Sequence, residues 1–291
     1  MRILNLGSIN IDYVYNVPHF VKAGETLASS TRQIFPGGKG MNQSIALARA
    51  GADCSHAGMI GVDGAYLLDI FRNAGVNVDL IVQQDEPTGH TVIQVTPSGE
   101  NCILLYGGAN QKINKDMADT ALKSFGQGDL LLLQNEISCV GYAMEAANKK
   151  KLDIAFNPSP ITAEIGKYPL DLVNWWLLNE VEGQALTGKE AADDILEEMG
   201  KMYSHAVIVL TLGTDGVICK YKDDVYKYGI YKVQAVDTTA AGDTFTGYFI
   251  AEIARQIPIP EALMIASKAA SVTVSRQGAA VSIPLRSEIV V

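Results

Sequence analysis

Two aspartates bracket a run of small residues in Asp237-Thr238-Thr239-Ala240-Ala241-Gly242-Asp243, and an amphipathic segment follows from Thr244 and Phe245. Small residues at a helix start let backbone N–H groups approach an anion, and the helix dipole favours negative charge there. A carboxylate beside such a cradle can accept the proton of an attacking hydroxyl, the arrangement that phosphoryl transfer requires. Asp243 is the candidate base. The same aspartate would also complement the helix dipole, and the residues alone leave both readings open.

Other constellations offer compatible chemistry. In Gly7-Ser8-Ile9-Asn10-Ile11-Asp12, Asn10 and Asp12 fall on one side of an extended chain, an amide and a carboxylate suited to neighbouring hydroxyls. Pro36-Gly37-Gly38-Lys39-Gly40-Met41-Asn42-Gln43 combines three glycines, which permit close backbone approach, with the donors Lys39 and Asn42. It is neither a Walker A loop nor GxGxxG, because Gly40 follows the lysine. Asn179-Glu180-Val181-Glu182 places Asn179 and Glu182 on one helix face, either as oxygen groups for a hydrated Mg²⁺ or as a capping box. Thr211-Leu212-Gly213-Thr214-Asp215-Gly216 is a turn whose glycines and hydroxyls suit a nucleotide or a tight connection. Thr273, Arg276, Gly278 and Ser282 make a compact polar loop near the C-terminus, and Trp175-Trp176 reads as core or interface.

These segments need a frame. Apolar runs at Ile3–Leu6, Leu130–Leu133, Ile154–Phe156, Trp175–Leu178 and Val207–Leu210 read as strands covered on both faces. Helix-period segments such as Met41–Ala50, Tyr142–Lys150 and Ala191–Met202 lie between them. Strand–helix alternation implies a largely parallel sheet, whose ligands sit beyond the carboxyl ends of its strands. Residues 13–35 carry little helix signal. Thr91–Val95, a turn at Pro97-Ser98-Gly99-Glu100, and Cys102–Tyr106 read as a hairpin. Together these two regions suggest a small separate β-sheet acting as a lid, with extra edge strands of the main sheet as the other reading.

Composition narrows the function. The chain has 291 residues, a net charge of −9 and 19% charged residues, which argues against a nucleic-acid partner. Four scattered cysteines and four scattered histidines form no metal-ligand spacing, and the thiols suit a reducing compartment. No apolar run approaches a membrane span, and the first residues reach a polar turn too soon for a signal peptide, so the expectation is a cytoplasmic protein with no membrane partner.

Taken in order from Gly7 to Pro284, the segments resemble the ribokinase (phosphofructokinase-B) family of sugar kinases over nearly the whole chain. Gly37–Gln43 and Asp237–Asp243 are its two most specific matches. The resemblance implies an α/β three-layer sandwich, mostly parallel, in one kinase domain over residues 1–291, with lid strands from about 13–35 and 88–106. It implies transfer from MgATP to the 5-hydroxyl of ribose, with Asp243 as base and the N–H groups of Ala240, Ala241 and Gly242 as anion hole. Asn10, Asp12, Gly38, Lys39, Asn42 and Glu136 match sugar-contacting positions. Asn179 and Glu182 match the pair that organises Mg²⁺ through water, and Thr211 to Gly216, with Asn179, Gly242 and Ser267, match nucleotide-side positions. Asp237, Thr239, Thr273, Arg276, Gly278 and Ser282 match a loop holding a monovalent cation, usually K⁺. Ser267 departs from the commoner Asn or His, and Met41 from the commoner alanine. The resemblance further implies a homodimer joined through the lid. Deoxyribose, fructose and nucleosides are the alternative substrates, and a non-catalytic sugar sensor is the alternative of another class.

Overall fold

The five apolar runs become the middle of a nine-stranded sheet in the computed structural model, which describes residues 1–290. In chain order the strands of that sheet are β1 (Ile3–Leu6), β4 (Cys54–Gly61), β5 (Asn77–Gln84), β8 (Leu130–Gln134), β9 (Asp153–Asn157), β10 (Trp175–Asn179), β11 (Val207–Thr211), β12 (Val217–Tyr221) and β13 (Asp224–Tyr228). Their spatial order is β13-β12-β11-β10-β9-β8-β1-β4-β5. The pairings from β11 through to β5 are parallel, and the two at the other edge, β11–β12 and β12–β13, are antiparallel.

Alternation along the strands divides the apolar core into two layers. Ile3, Leu130, Leu132, Val207 and Val209 face one layer, built with α1 (Lys39–Arg49), α2 (Leu67–Ala74), α7 (Ala241–Ala254) and α8 (Ile259–Val274). Leu4, Leu6, Leu131, Leu133, Ile208 and Leu210 face the other, covered by α3 (Lys115–Leu122), α4 (Val140–Lys149) and α6 (Ala192–Met202). Trp176 is fully buried in that second layer, and Trp175 meets Phe249 edge-on at 6.3 Å, so the tryptophan doublet is core as expected.

A second sheet of four strands has the order β3-β2-β6-β7, from β2 (Asn10–Asn16), β3 (Thr31–Gly37), β6 (Gly89–Val95) and β7 (Asn101–Tyr106). It contains the expected hairpin, and it stands apart from the main sheet rather than extending its edge. Its middle pairing, β2 with β6, is parallel and sets Asp12 opposite Thr91. β3 passes into α1 through Gly38 alone, at φ 93°, where a Cβ would lie 3.0 Å from the Asn10 amide nitrogen. Only glycine takes that turn without strain. At the other side of α1, a Cβ on Gly247 of α7 would lie 2.9 Å from both Gln43 O and Leu47 N. Its absence lets α7 lie directly on the backbone of α1.

Candidate active site

The carboxyl ends of β1, β8, β9, β10 and β11 lead to Gly7, Asn135, Ser159, Glu180 and Leu212, the edge where open α/β sheets receive ligands. Above them α7 begins. Ala240, at φ 61°, turns the chain into the helix. The amides of Gly242 and Asp243 find no acceptor among the described residues, whereas Ala241 N–H reaches Thr238 O at 3.3 Å. Free amides at a helix start fit an anion. Of the three amides expected to form an anion hole, those of Ala240 and Gly242 have no acceptor among the described residues, and only that of Ala241 is engaged.

Asp243 is buried, and both its oxygens accept side-chain amides: Oδ2 from Asn42 Nδ2 and Oδ1 from Gln43 Nε2, each at 2.9 Å. Asn42 Oδ1 is buried with no partner, an acceptor left for a ligand hydroxyl. Lys39 lines the same recess. Burial would pull its ammonium pKa down, but the carboxylates of Asp243, Glu136 and Glu182 outweigh this and hold it above the usual lysine value. Burial raises the Glu136 carboxyl, which accepts Ser8 Oγ and, at 3.0 Å, the Lys39 amide.

Toward the small sheet, Asp12 Oδ1 accepts Thr91 Oγ1 at 2.6 Å, and Asn10 Oδ1 accepts Asn110 Nδ2 at 2.7 Å. Burial, with Glu136 and Asp243 near, pushes the Asp12 carboxyl up to about 6, against the pull of the Thr91 hydroxyl. A Cβ on Gly37 would collide with the Asp12 carboxylate, which explains the first glycine of the motif. Met41 is fully buried in the core and does not face the recess.

Asn179 and Glu182 form the capping box that opens α5 (Glu180–Thr187): Asn179 Oδ1 accepts Glu182 N at 2.9 Å, and Glu182 Oε2 accepts Asn179 N at 3.0 Å. They also line a cavity of about 260 Å³ together with Lys39, Thr211, Ala241, Gly242 and Asp243. Each Glu182 oxygen accepts a single bond from Asn179, so lone pairs remain for metal-bound water.

A larger cavity of about 600 Å³ shares Thr211, Thr238, Ala241, Gly242 and Phe245 with the first. Thr211, Gly213, Thr214, Gly216 and Ser267 line it, as expected of nucleotide-side positions. Leu212 and Asp215 do not; Leu212 packs into the second core layer. Val217, Ile230, Val233, Ala270 and Val274 complete an apolar wall suited to a flat ring, contacts the sequence reading did not name.

Asp237 ties the adjacent loop together. Oδ1 accepts Thr239 N and Oδ2 accepts Gly278 N, both at 2.9 Å. Burial would raise its carboxyl, but these donors outweigh it and hold the pKa below the usual aspartate value. Thr273 Oγ1 meets Thr244 Oγ1 at 3.0 Å, Ser282 Oγ donates to Ala279 O at 2.7 Å, and the Arg276 side chain pairs with Glu288 at 2.5 Å. The loop is closed by these bonds, and each Asp237 oxygen accepts only one of them, so acceptor capacity remains there beside the backbone carbonyls.

Sequence reasoning missed Thr91, Asn110, Gln134 and Asn157 and gave Gln43 no role. Gln134 was detectable as a polar residue ending an apolar run, LLLLQ. Nothing in the spacing joins Thr91 to Asp12, because the partnership rests on a long-range parallel pairing.

The profile of the pfkB family carbohydrate kinase matches residues 2–286. The ribokinase of Haemophilus influenzae is 37% identical over 292 residues, spanning 97% of this chain and 95% of that protein. Among solved structures, the ribokinase of Cryptococcus neoformans in complex with ADP superposes with a TM-score of 0.87 at 32% identity, over 99% of this chain and 98% of the other. That of Arabidopsis thaliana, complexed with ribose and ATP, does so with a TM-score of 0.86 at 29% identity, over 99% and 97%.

Proposed function

The chain belongs to the pfkB family of carbohydrate kinases, and from that premise we propose that it transfers the γ-phosphoryl group of ATP to the 5-hydroxyl of D-ribose. The observation that carries this reading is Asp243, buried beside unpaired helix-start amides with both oxygens oriented by Asn42 and Gln43. Asp243 takes the hydroxyl proton as the oxygen attacks phosphorus, and the Gly242 amide receives charge on the transferring group. Lys39 neutralises the carboxylate cluster facing the phosphates. Asn10, Asp12, Asn42 and the Gly38 turn hold the sugar hydroxyls. Asn179 and Glu182 hold Mg²⁺ through water, and the ion supplies charge neutralisation to the phosphates when bound. Asp237, Thr239, Thr273, Arg276, Gly278 and Ser282, several of them through backbone carbonyls, would hold a monovalent cation, K⁺, whose charge would favour the anionic phosphates.

ADP release screened over ribose, 2-deoxyribose, fructose and nucleosides, with and without K⁺, tests this. Ribose is expected to give the highest kcat/KM and K⁺ to raise it. As pH falls through about 6 Asp12 gains a proton and loses an acceptor, so the KM for ribose rises while the KM for ATP holds. No release with any sugar would support the sensor instead, and preference for another sugar would reassign the substrate.

The proposal extends to assembly: one kinase domain spans the chain, and its small sheet is both lid and dimer surface. β7 is an edge strand on which Ile103, Leu104, Leu105 and Tyr106 are exposed consecutively, Leu104 at 70%. Unpaired edges with apolar side chains are costly unless covered. A second copy covers them. Sedimentation is expected to give a dimer for the native chain and a monomer for Leu104→Glu; a monomeric native protein overturns the assembly. No helix among the described residues is long and apolar enough to cross a membrane, and we place the enzyme in the cytoplasm.

A further inference from the structure

Asp243 lies at the end of a buried chain of side-chain amides. Gln43 Nε2 donates to Asp243 Oδ1 at 2.9 Å, and its Oε1 accepts Gln134 Nε2 at 2.7 Å. Gln134 Nε2 also donates to Asn5 Oδ1 at 3.0 Å, and Asn5 Nδ2 donates to Gly40 O and Ser44 Oγ, both at 2.8 Å. Asn5, Gln43, Ser44 and Gln134 are fully buried. A side branch runs from Gln43 Nε2 to Asn157 Oδ1 at 3.3 Å, and Asn157 Nδ2 donates to Leu177 O at 2.7 Å.

The direction of this chain is fixed at its far ends. The carbonyls of Gly40 and Leu177 can only accept, so the amino groups of Asn5 and Asn157 must face them. Asn5 Oδ1 then faces Gln134, which must present its amino group to both Asn5 and Gln43. The Gln43 carbonyl is thereby committed to Gln134, and its amino group to Asp243. Gln134 Oε1 is buried without a donor.

We propose that Gln134 and Gln43 form a directional amide relay that sets the orientation of the Asp243 carboxylate, which makes both of them positioning residues for proton abstraction. The proposal rests on Asp243 being the base. Neither glutamine lines the cavities that receive phosphate and nucleotide. Without Gln43 the carboxylate keeps only the Asn42 amide on one oxygen, and it turns about its Cβ–Cγ bond away from the attacking hydroxyl. Misplacement of a reacting group by an ångström costs on the order of 10²-fold in rate.

Gln43→Met and Gln134→Met keep side-chain length and apolar packing while removing the relay. Turnover is expected to fall about 10²-fold for the first and about 10-fold for the second. Calorimetric Kd values for ribose and for ATP are expected to stay within about threefold, which also reports that the site is folded. In the Asp243→Asn background the same substitutions should change the residual rate by less than about twofold, since both act through the missing carboxylate. Turnover within threefold of the native enzyme in both variants, or losses that multiply with that of Asp243→Asn, overturns the relay. If Gln43→Met does not fold, Gln134→Met alone decides, because it never touches Asp243. Should Asp243→Asn itself remain active, the base assignment fails; should it collapse while the glutamine variants remain active, only the relay fails.

Discussion

Asp243→Asn is expected to lower kcat by about 10²–10⁴-fold, the usual contribution of a positioned base, while ribose and ATP bind with little change. The substitution is nearly isosteric, and the surroundings can absorb it. Gln43 is held in one orientation, so the introduced amide must turn its carbonyl toward Gln43 and its amino group toward Asn42. Asn42 can reverse its own amide to accept, since no protein group holds its Oδ1, and the amino group it then turns toward the sugar can donate to a hydroxyl that formerly donated to it. The site therefore stays folded and loses only the proton acceptor. Calorimetry for both ligands beside steady-state turnover is the check, and a kcat within tenfold of the native enzyme would remove Asp243 from its role.

Lys39→Met is expected to lower kcat/KM for ATP by about 10²–10³-fold, comparable to losing one donor from an oxyanion site. Lys39 is the cation among Asp243, Glu136 and Glu182, and those carboxylates keep it protonated despite its burial. Removing it leaves three anionic side chains facing an incoming polyanion. The loss should therefore appear in the KM for ATP as well as in kcat, unlike that of Asp243→Asn, and should shrink as ionic strength rises. A kcat/KM for ATP within fivefold of the native value would show that the ammonium is not needed there.

The strands that carry the site were legible because buried parallel strands read as unbroken apolar runs. β1 begins and ends where its run does, and β8 to β11 extend theirs by a residue or two. β4 escaped notice, since Cys-Ser-His-Ala-Gly-Met-Ile-Gly mixes small and polar residues into a strand that is nevertheless buried. Its Gly58 must be small, because a Cβ there would press within 3.0 Å of His56 Nε2 and 2.9 Å of Gly7 O. The antiparallel β12–β13 edge was invisible for another reason: a short half-exposed hairpin carries too little hydrophobic contrast. The segments proposed to carry catalysis announced themselves through glycines that permit close approach. The amide chain behind them did not, because Asn5, Gln43 and Gln134 meet only in three dimensions. Asn5 inside Ile3–Leu6 and Gln134 closing Leu130–Leu133 were the available clues, polar residues where the pattern called for apolar ones.

The single-residue junction between β3 and α1 has a further consequence. With only Gly38 between them, a displacement of the small sheet has no slack in which to dissipate before it reaches Lys39, Asn42 and Gln43. On the proposed assignments, the sugar's grip on Asp12 and the alignment of Asp243 would thus be mechanically one event. An acceptor that fills the pocket poorly leaves the base misaligned even when ATP is in place. Water, which lacks the several hydroxyls of a sugar, should be the poorest acceptor of all. Idle hydrolysis of ATP would then be suppressed by the absence of a hinge, with no separate gate required.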